Sequence, residues 1–163
     1  MRCSIIYYSK TGHTAEMARE IEAGIKQEVP DMEVRLFTVD DVDPEFVNSS
    51  QAVLFGTPTY LANTCWQMKK WFDESTPKFQ LGGKIGAAFA TAHYAQGGAD
   101  TAILTLINHM MVKGMLVYSG GSSLGQPYIH LGALAIDDNY EQSRALFRTF
   151  GQRIAAKVQE LFA

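Results

Sequence analysis

Short apolar runs alternate with longer amphipathic stretches along the whole of this chain. "CSIIYY" (3–8), "EVRLFTV" (33–39), "AVLFG" (52–56), "KIGAAFAT" (84–91) and "MLVYSG" (115–120) read as strands. "AVLFG" is unbroken, as in a strand covered on both faces, whereas 33–39 alternates. Between them, residues 14–28 place Met17, Ala18, Ile21 and Ile25 on one helical face. Residues 63–73 read as a short helix, and 99–114 as a helix ending at a glycine. Phe147, Phe150, Ile154, Val158 and Leu161 recur at spacings of three and four, so 140–162 closes the chain with a helix. Strands and helices in strict alternation predict an α/β fold: a doubly wound parallel sheet with helices on both faces. At 163 residues, a single domain over 1–163 is expected.

Ligands of such sheets bind beyond the carboxyl ends of the strands. The loops after strands 1, 3 and 4 are therefore the ones to read for chemistry. The first, "SKTGHT" (9–14), joins a strand to a helix, where free backbone N–H groups favour an anion. Ser9, Thr11 and Thr14 add hydroxyls, Gly12 allows close approach, and Lys10 is the one formal positive charge. The spacing is not that of a nucleoside-triphosphate loop, so a monophosphate held by neutral donors is the ligand it suits. By itself the loop reads equally well as a capped turn. In the second loop, "GTPTYLANTCWQ" (56–67), Gly56-Thr57-Pro58 is expected to break the strand sharply. Tyr60 offers a stacking face for a flat ring, and the amides of 59–63 offer donors. The third, "TAHYAQGGADTA" (91–102), supplies Tyr94 as a second ring partner, His93 and Gln96 as donors, and Gly97-Gly98 for close backbone approach. The segment 119–139 reads as a long glycine-rich loop.

Together the three loops resemble a known family. "SKTGHT" is similar to the T/S-x-T-G-x-T phosphate loop of flavodoxin-like proteins. "GTPTYLANTCWQMKKW" and "TAHYAQGGADTAILTLINHMMVKGM" look like the next two loops of the tryptophan-repressor-binding-protein family, FMN-dependent NAD(P)H:quinone oxidoreductases. The match covers residues 1 to about 120, with a weaker match in the final helix. It implies a flavodoxin-like five-stranded sheet of order 2-1-3-4-5. It puts the FMN phosphate on Ser9, Thr11, Gly12, His13 and Thr14, with Lys10 in the same loop. It puts the isoalloxazine ring against Pro58, Thr59, Tyr60, Leu61, Ala62 and Asn63. More of the flavin falls against Thr91, Ala92, His93, Tyr94, Gln96, Gly97 and Gly98. Two departures stand out. Ile107 occupies the position where that family carries a histidine, with His109 two residues on, and "DDVDPEFVNSSQ" is a shorter connection.

The function the resemblance implies is an enzyme. FMN would take a hydride from NAD(P)H and pass two electrons to a quinone or similar small acceptor. The flavin carries the chemistry, so no catalytic side chain is expected. The alternative is a flavodoxin-type electron carrier between protein partners. A net charge of −3 is modest for docking through an acidic face, and it gives no footprint for nucleic acid. A phosphoacceptor domain would need acidic residues where strands 1 and 3 end in "YYSK" and "FGTP". No apolar run spans a membrane, and the first residues read as a strand rather than a signal peptide, so a cytoplasmic location is expected. Cys3 and Cys65 form no CxxC pair, and His13, His93, His109 and His130 show no ligand spacing, so neither disulfide nor metal is expected. Asp137 and Asp138 read as solvated loop ends. A homo-oligomer, dimer or tetramer, is left open, with Trp66, Trp71 and Phe72 as candidate contacts.

Overall fold

A computed structural model describes residues 1–74 and 77–163. Among these the strands are β1 (Arg2–Tyr7), β2 (Glu33–Thr38), β3 (Ala52–Tyr60), β4 (Asn63–Thr64), β5 (Ile85–Ala92), β6 (Leu116–Val117) and β7 (Ala133–Ile136). The helices are α1 (His13–Glu28), α2 (Pro44–Ser49), α3 (Trp66–Glu74), α4 (Ala99–Val112) and α5 (Tyr140–Phe162). The sheet runs β2-β1-β3-β5-β6, all parallel, which is the expected order 2-1-3-4-5.

Alternation along β1 sends Ile5 to one face and Ile6 to the other, both fully buried. On the first face Met17, Ile21 and Ile25 of α1 and Phe147, Phe150 and Ile154 of α5 cover Ile5, Leu54 and Phe89. On the second, Met68 and Phe72 of α3 and Leu106 and Met110 of α4 cover Ile6, Phe55 and Ala88. Helices α1 and α5 meet through glycines. A Cβ on Gly24 would lie 2.0 Å from the Arg148 carbonyl oxygen, and one on Gly151 2.2 Å from that of Ile21. Beside them Glu16 and Glu20 accept from Arg144, and Glu20 from Arg148 as well. Burial pushes the Glu20 carboxyl up, but the two guanidinium bonds outweigh it and hold it below the usual range.

Three sequence expectations are corrected. First, Gly56-Thr57-Pro58 does not break the strand. β3 continues to Tyr60, pairing Thr57 with Ala90 and Pro58 with Thr91, then turns back antiparallel into β4. Pro58 is tolerated because β1 has already ended opposite Gly56, leaving one edge of β3 without a partner. Second, the fifth strand is not 115–120. β6 holds only Leu116 and Val117, opposite Ile85 and Gly86. The same outer position is resumed by β7, opposite Phe89 to Ala92. Third, the expected loop 119–139 therefore contains a strand and two 3₁₀ turns, Ser122–Leu124 and Asp137–Asn139. The chain between β6 and β7 is gathered by Arg153 of α5. Its guanidinium donates to the carbonyls of Gly121, Gly125, Gln126 and Pro127 at 2.9–3.2 Å. Ile129 anchors it from within the core. Helix α2 was not foreseen. Its six residues are too few to show a period, although Asp43 followed by Pro44 marks a helix start.

Candidate functional site

The three expected loops converge at the carboxyl edge of the sheet. In the first, α1 opens at Gly12, whose φ of 98° is a conformation that suits glycine. No side chain caps this helix. Its first internal bond runs from Glu16 N to the Gly12 carbonyl, so the amides of His13, Thr14 and Ala15 have no helical acceptor. A Cβ on Gly12 would meet nothing within 4 Å, so the loop faces open space. Thr11, Gly12 and His13 are exposed there, and Lys10 beside them. Thr14 is buried, and its hydroxyl lies 2.8 Å from that of Thr91 at the end of β5. Two residues expected on the ligand thus also bolt the first loop to the third.

The second loop is a hairpin whose two turn residues, Leu61 and Ala62, have φ of 47° and 63°. Such turns suit glycine and asparagine, and each left-handed residue of another type costs about 1–2 kcal/mol. Leu61 is fully exposed. Thr57 fixes the base of the hairpin: its Oγ1 accepts from the Cys65 amide at 3.0 Å and from the Thr64 hydroxyl at 2.8 Å. Tyr60 packs edge-on to Tyr8, and burial together with Tyr8 raises its pKa. Cys65 is buried, which raises its thiol pKa, consistent with a packing role.

The third loop leads into α4 through Gly98, φ 86°, again without a side-chain cap. It lies hard against the hairpin, since a Cβ on Gly98 would be 2.5 Å from the Ala62 Cα. Tyr94 is exposed and packs edge-on to His93. Gln96 is exposed and Ala92 buried, while Gly97 folds back to the Tyr94 carbonyl at 3.0 Å. Asp137, expected as a solvated loop end, instead lies between two histidines. Its carboxylate meets His93 Nδ1 and stands 3.6 Å from His13 Nδ1. This joins loops 1 and 3 to the end of β7. No spacing in the sequence signalled it, because the three residues are far apart along the chain. His109 stacks on Phe72 with ring centroids 4.7 Å apart, and burial lowers its pKa. Trp71 and Phe72 are core residues, and Trp66 is exposed beside a cleft of about 420 Å³ lined also by Val39, Asp40 and Phe79.

Three buried side-chain polar atoms lack a hydrogen-bond partner among the described residues: Ser9 Oγ, Thr59 Oγ1 and Gln67 Oε1. Ser9 lies in loop 1 and Thr59 in the β3–β4 hairpin of loop 2, while Gln67 is already on α3. A buried hydroxyl without a partner is costly, and here two of them border the same exposed edge. With the uncapped start of α1, they form a donor set that fits a phosphate and the polar rim of a ring. Among the described residues no group of histidine, cysteine and carboxylate side chains could hold a metal, and no helix is long and apolar enough to cross a membrane.

The comparisons with known proteins agree with this fold and correct the functional expectation. Residues 5–109 match the family model described as flavodoxin. The chain is 51% identical to a flavodoxin of Clostridium saccharobutylicum, covering 99% of this chain and 100% of that one. It is 28% identical to an NAD(P)H dehydrogenase (quinone) of Solidesulfovibrio magneticus, over 85% of this chain and 78% of that one. In structure it is similar to a WrbA-like flavodoxin of Agrobacterium tumefaciens, at a TM-score of 0.77, 23% identity and 98% coverage of each chain. It is also similar to a Fusobacterium nucleatum flavodoxin bound to flavin mononucleotide, at a TM-score of 0.69, 18% identity and coverage of 98% of this chain and 96% of that one. The expectation of an NAD(P)H:quinone oxidoreductase, and of an enzyme at all, is overturned by the full-length 51% match to a flavodoxin. The loop motifs misled because they occur on the shared scaffold of reductases and carriers alike, so they mark the fold rather than the activity. This chain belongs to the flavodoxin family.

Proposed function

We propose that the protein is a flavodoxin-type electron carrier that holds FMN and exchanges electrons with protein partners. The observation that carries the reading is the pair of orphaned hydroxyls, Ser9 Oγ and Thr59 Oγ1, at the uncapped start of α1 and in the adjoining hairpin. Ser9, Thr11 and the amides of Gly12, His13 and Thr14 would hold the phosphate, with Lys10 adding positive charge nearby. Residues Pro58 to Asn63 would flank the ring on one side. Tyr94, Gln96, Gly97 and Gly98 would do so on the other, with Ala92 and His93 behind them. FMN would supply the redox chemistry. The protein's own part is to bind, to orient and to exclude water.

A carrier rather than a reductase is supported by what rims the site. Leu61 and Tyr94, in two of the converging loops, are large, exposed and apolar or aromatic, which suits a protein face. An NAD(P)H donor and a quinone acceptor are named only among relatives near 28% identity. The test uses the purified protein reconstituted with FMN. The carrier should bind FMN, show two separable one-electron steps in a redox titration, and turn over NAD(P)H with benzoquinone only slowly. Fast ping-pong turnover would overturn the carrier reading. Failure to quench FMN fluorescence would overturn the cofactor.

A further inference from the structure

The tip of the β3–β4 hairpin is held from α4. Leu61 and Ala62 keep left-handed conformations that neither residue type favours, so something outside the turn must hold them. The ladder contributes two residue pairs, Thr59 with Thr64 and Tyr60 with Asn63. Gly98 closes the space behind Ala62. The remaining tie is a side-chain bond between elements. Asn63 Oδ1 accepts from the Thr64 amide at 2.7 Å and lies 2.7 Å from Thr105 Oγ1, on the second turn of α4. The Thr105 hydroxyl is also 2.9 Å from the Thr101 carbonyl of its own helix. Its single proton can serve either acceptor, and only the bond to Asn63 crosses to the hairpin.

We propose that Thr105 is a positioning residue: through Asn63 it fixes the left-handed Leu61–Ala62 turn against which the flavin ring lies. This rests on the FMN reading above. Among the described residues Thr105 makes no hydrogen bond to the 9–14 loop or to Pro58 to Ala62. Without its hydroxyl the hairpin loses this hydrogen bond to the helix, and the turn is freer to relax toward conformations its residues prefer. The face presented to the ring then ceases to be pre-formed, and FMN must order it on binding.

The experiment compares Thr105→Val, which keeps the shape and removes the hydroxyl, with Thr105→Ser, which keeps the hydroxyl. FMN affinity is read by fluorescence quenching, and amide hydrogen exchange at Ala62, Asn63 and Thr64 is read in the FMN-free protein. The valine variant should bind FMN about tenfold more weakly, the equivalent of one lost hydrogen bond, and exchange those amides several-fold faster. The serine variant should stay within about twofold of the parent in both, on the scale of a retained bond. Thermal melts should be alike, because Thr105 is only half-buried. The proposal is overturned if valine matches the parent in affinity, if serine fails as valine does, or if exchange quickens with affinity unchanged. Should the parent itself fail to bind FMN, the cofactor reading falls. The exchange difference between valine and serine then decides whether Thr105 holds the hairpin.

Discussion

Helices α1 and α2 begin in opposite ways. At α2, Asp43 turns its carboxylate onto the amides of Glu45 and Phe46 at 2.9 and 3.2 Å, and Pro44 supplies a first residue with no amide to satisfy. At α1, a glycine stands where a cap would, and three amides are left without a helical acceptor. Helix α4 repeats the second pattern with Gly98. The closed start belongs to a helix that none of the three converging loops leads into, and the two open starts end the first and third of those loops. An aspartate capping α1 would add only a few tenths of a kcal/mol over the glycine, yet the sequence leaves it out there while using one at α2. Local stability has been given up where an external anion can take the place of a cap.

Gly12 is where the two kinds of helix start differ most. Placing a carboxylate there, Gly12→Asp, sets a fixed negative charge where the phosphate would sit. FMN affinity should fall on the order of a hundredfold or more, since like charges brought together cost several kcal/mol. Gly12→Asn imposes the same backbone conformation without the charge and should lose much less. Equal affinities in the two variants would mean that the open start is not an anion site. A smaller loss is expected from Ser9→Ala, which removes one donor to a charged acceptor worth about 1–3 kcal/mol. The same change should leave the FMN-free protein as stable as before or slightly more so, because the hydroxyl has no partner there. A melting temperature lowered as far as the affinity would instead assign Ser9 a structural bond. The smallest effect on binding is expected from Asp43→Ala. It should cost about 1 kcal/mol in urea unfolding while FMN affinity stays within about twofold. A matching loss of affinity would remove the distinction between the two starts.

Much of this was legible in the sequence, for identifiable reasons. The strands at "CSIIYY", "AVLFG" and "KIGAAFAT" are buried on both faces, so their apolar runs are unambiguous, while the sheet order came from the family resemblance. Gly12 and Gly98, read in the sequence as points of close backbone approach, also form the open helix starts, with φ of 98° and 86°. What stayed hidden depends on contacts between distant residues. The Thr14–Thr91 bond joins residues 77 apart, and the bond from Tyr140 to the His13 carbonyl joins residues 127 apart. Asp137 looks like any loop acid until β7 carries it to His13 and His93. β7 itself, "ALAI", is four residues inside a glycine-rich stretch and reads as loop without the neighbouring strand β5 to pair it. The choice between carrier and reductase was beyond the loop motifs, because a flavodoxin and a quinone dehydrogenase both match this chain along most of its length.

The divided fifth strand has a consequence for how copies of this chain meet one another. The outer border of a sheet exposes a row of amides and carbonyls onto which a foreign strand can add. Here that border is two residues at β6 and four at β7, and the Arg153-gathered segment stands between them. Neither piece is long enough to template a stable addition. The opposite border, β2, carries Glu33 and Arg35, which pair with each other and with Arg2 and Asp43. Both sides of the sheet are thus poor seeds for intermolecular strand pairing. A chain with this much buried β-structure can therefore resist aggregation without closing its sheet into a barrel.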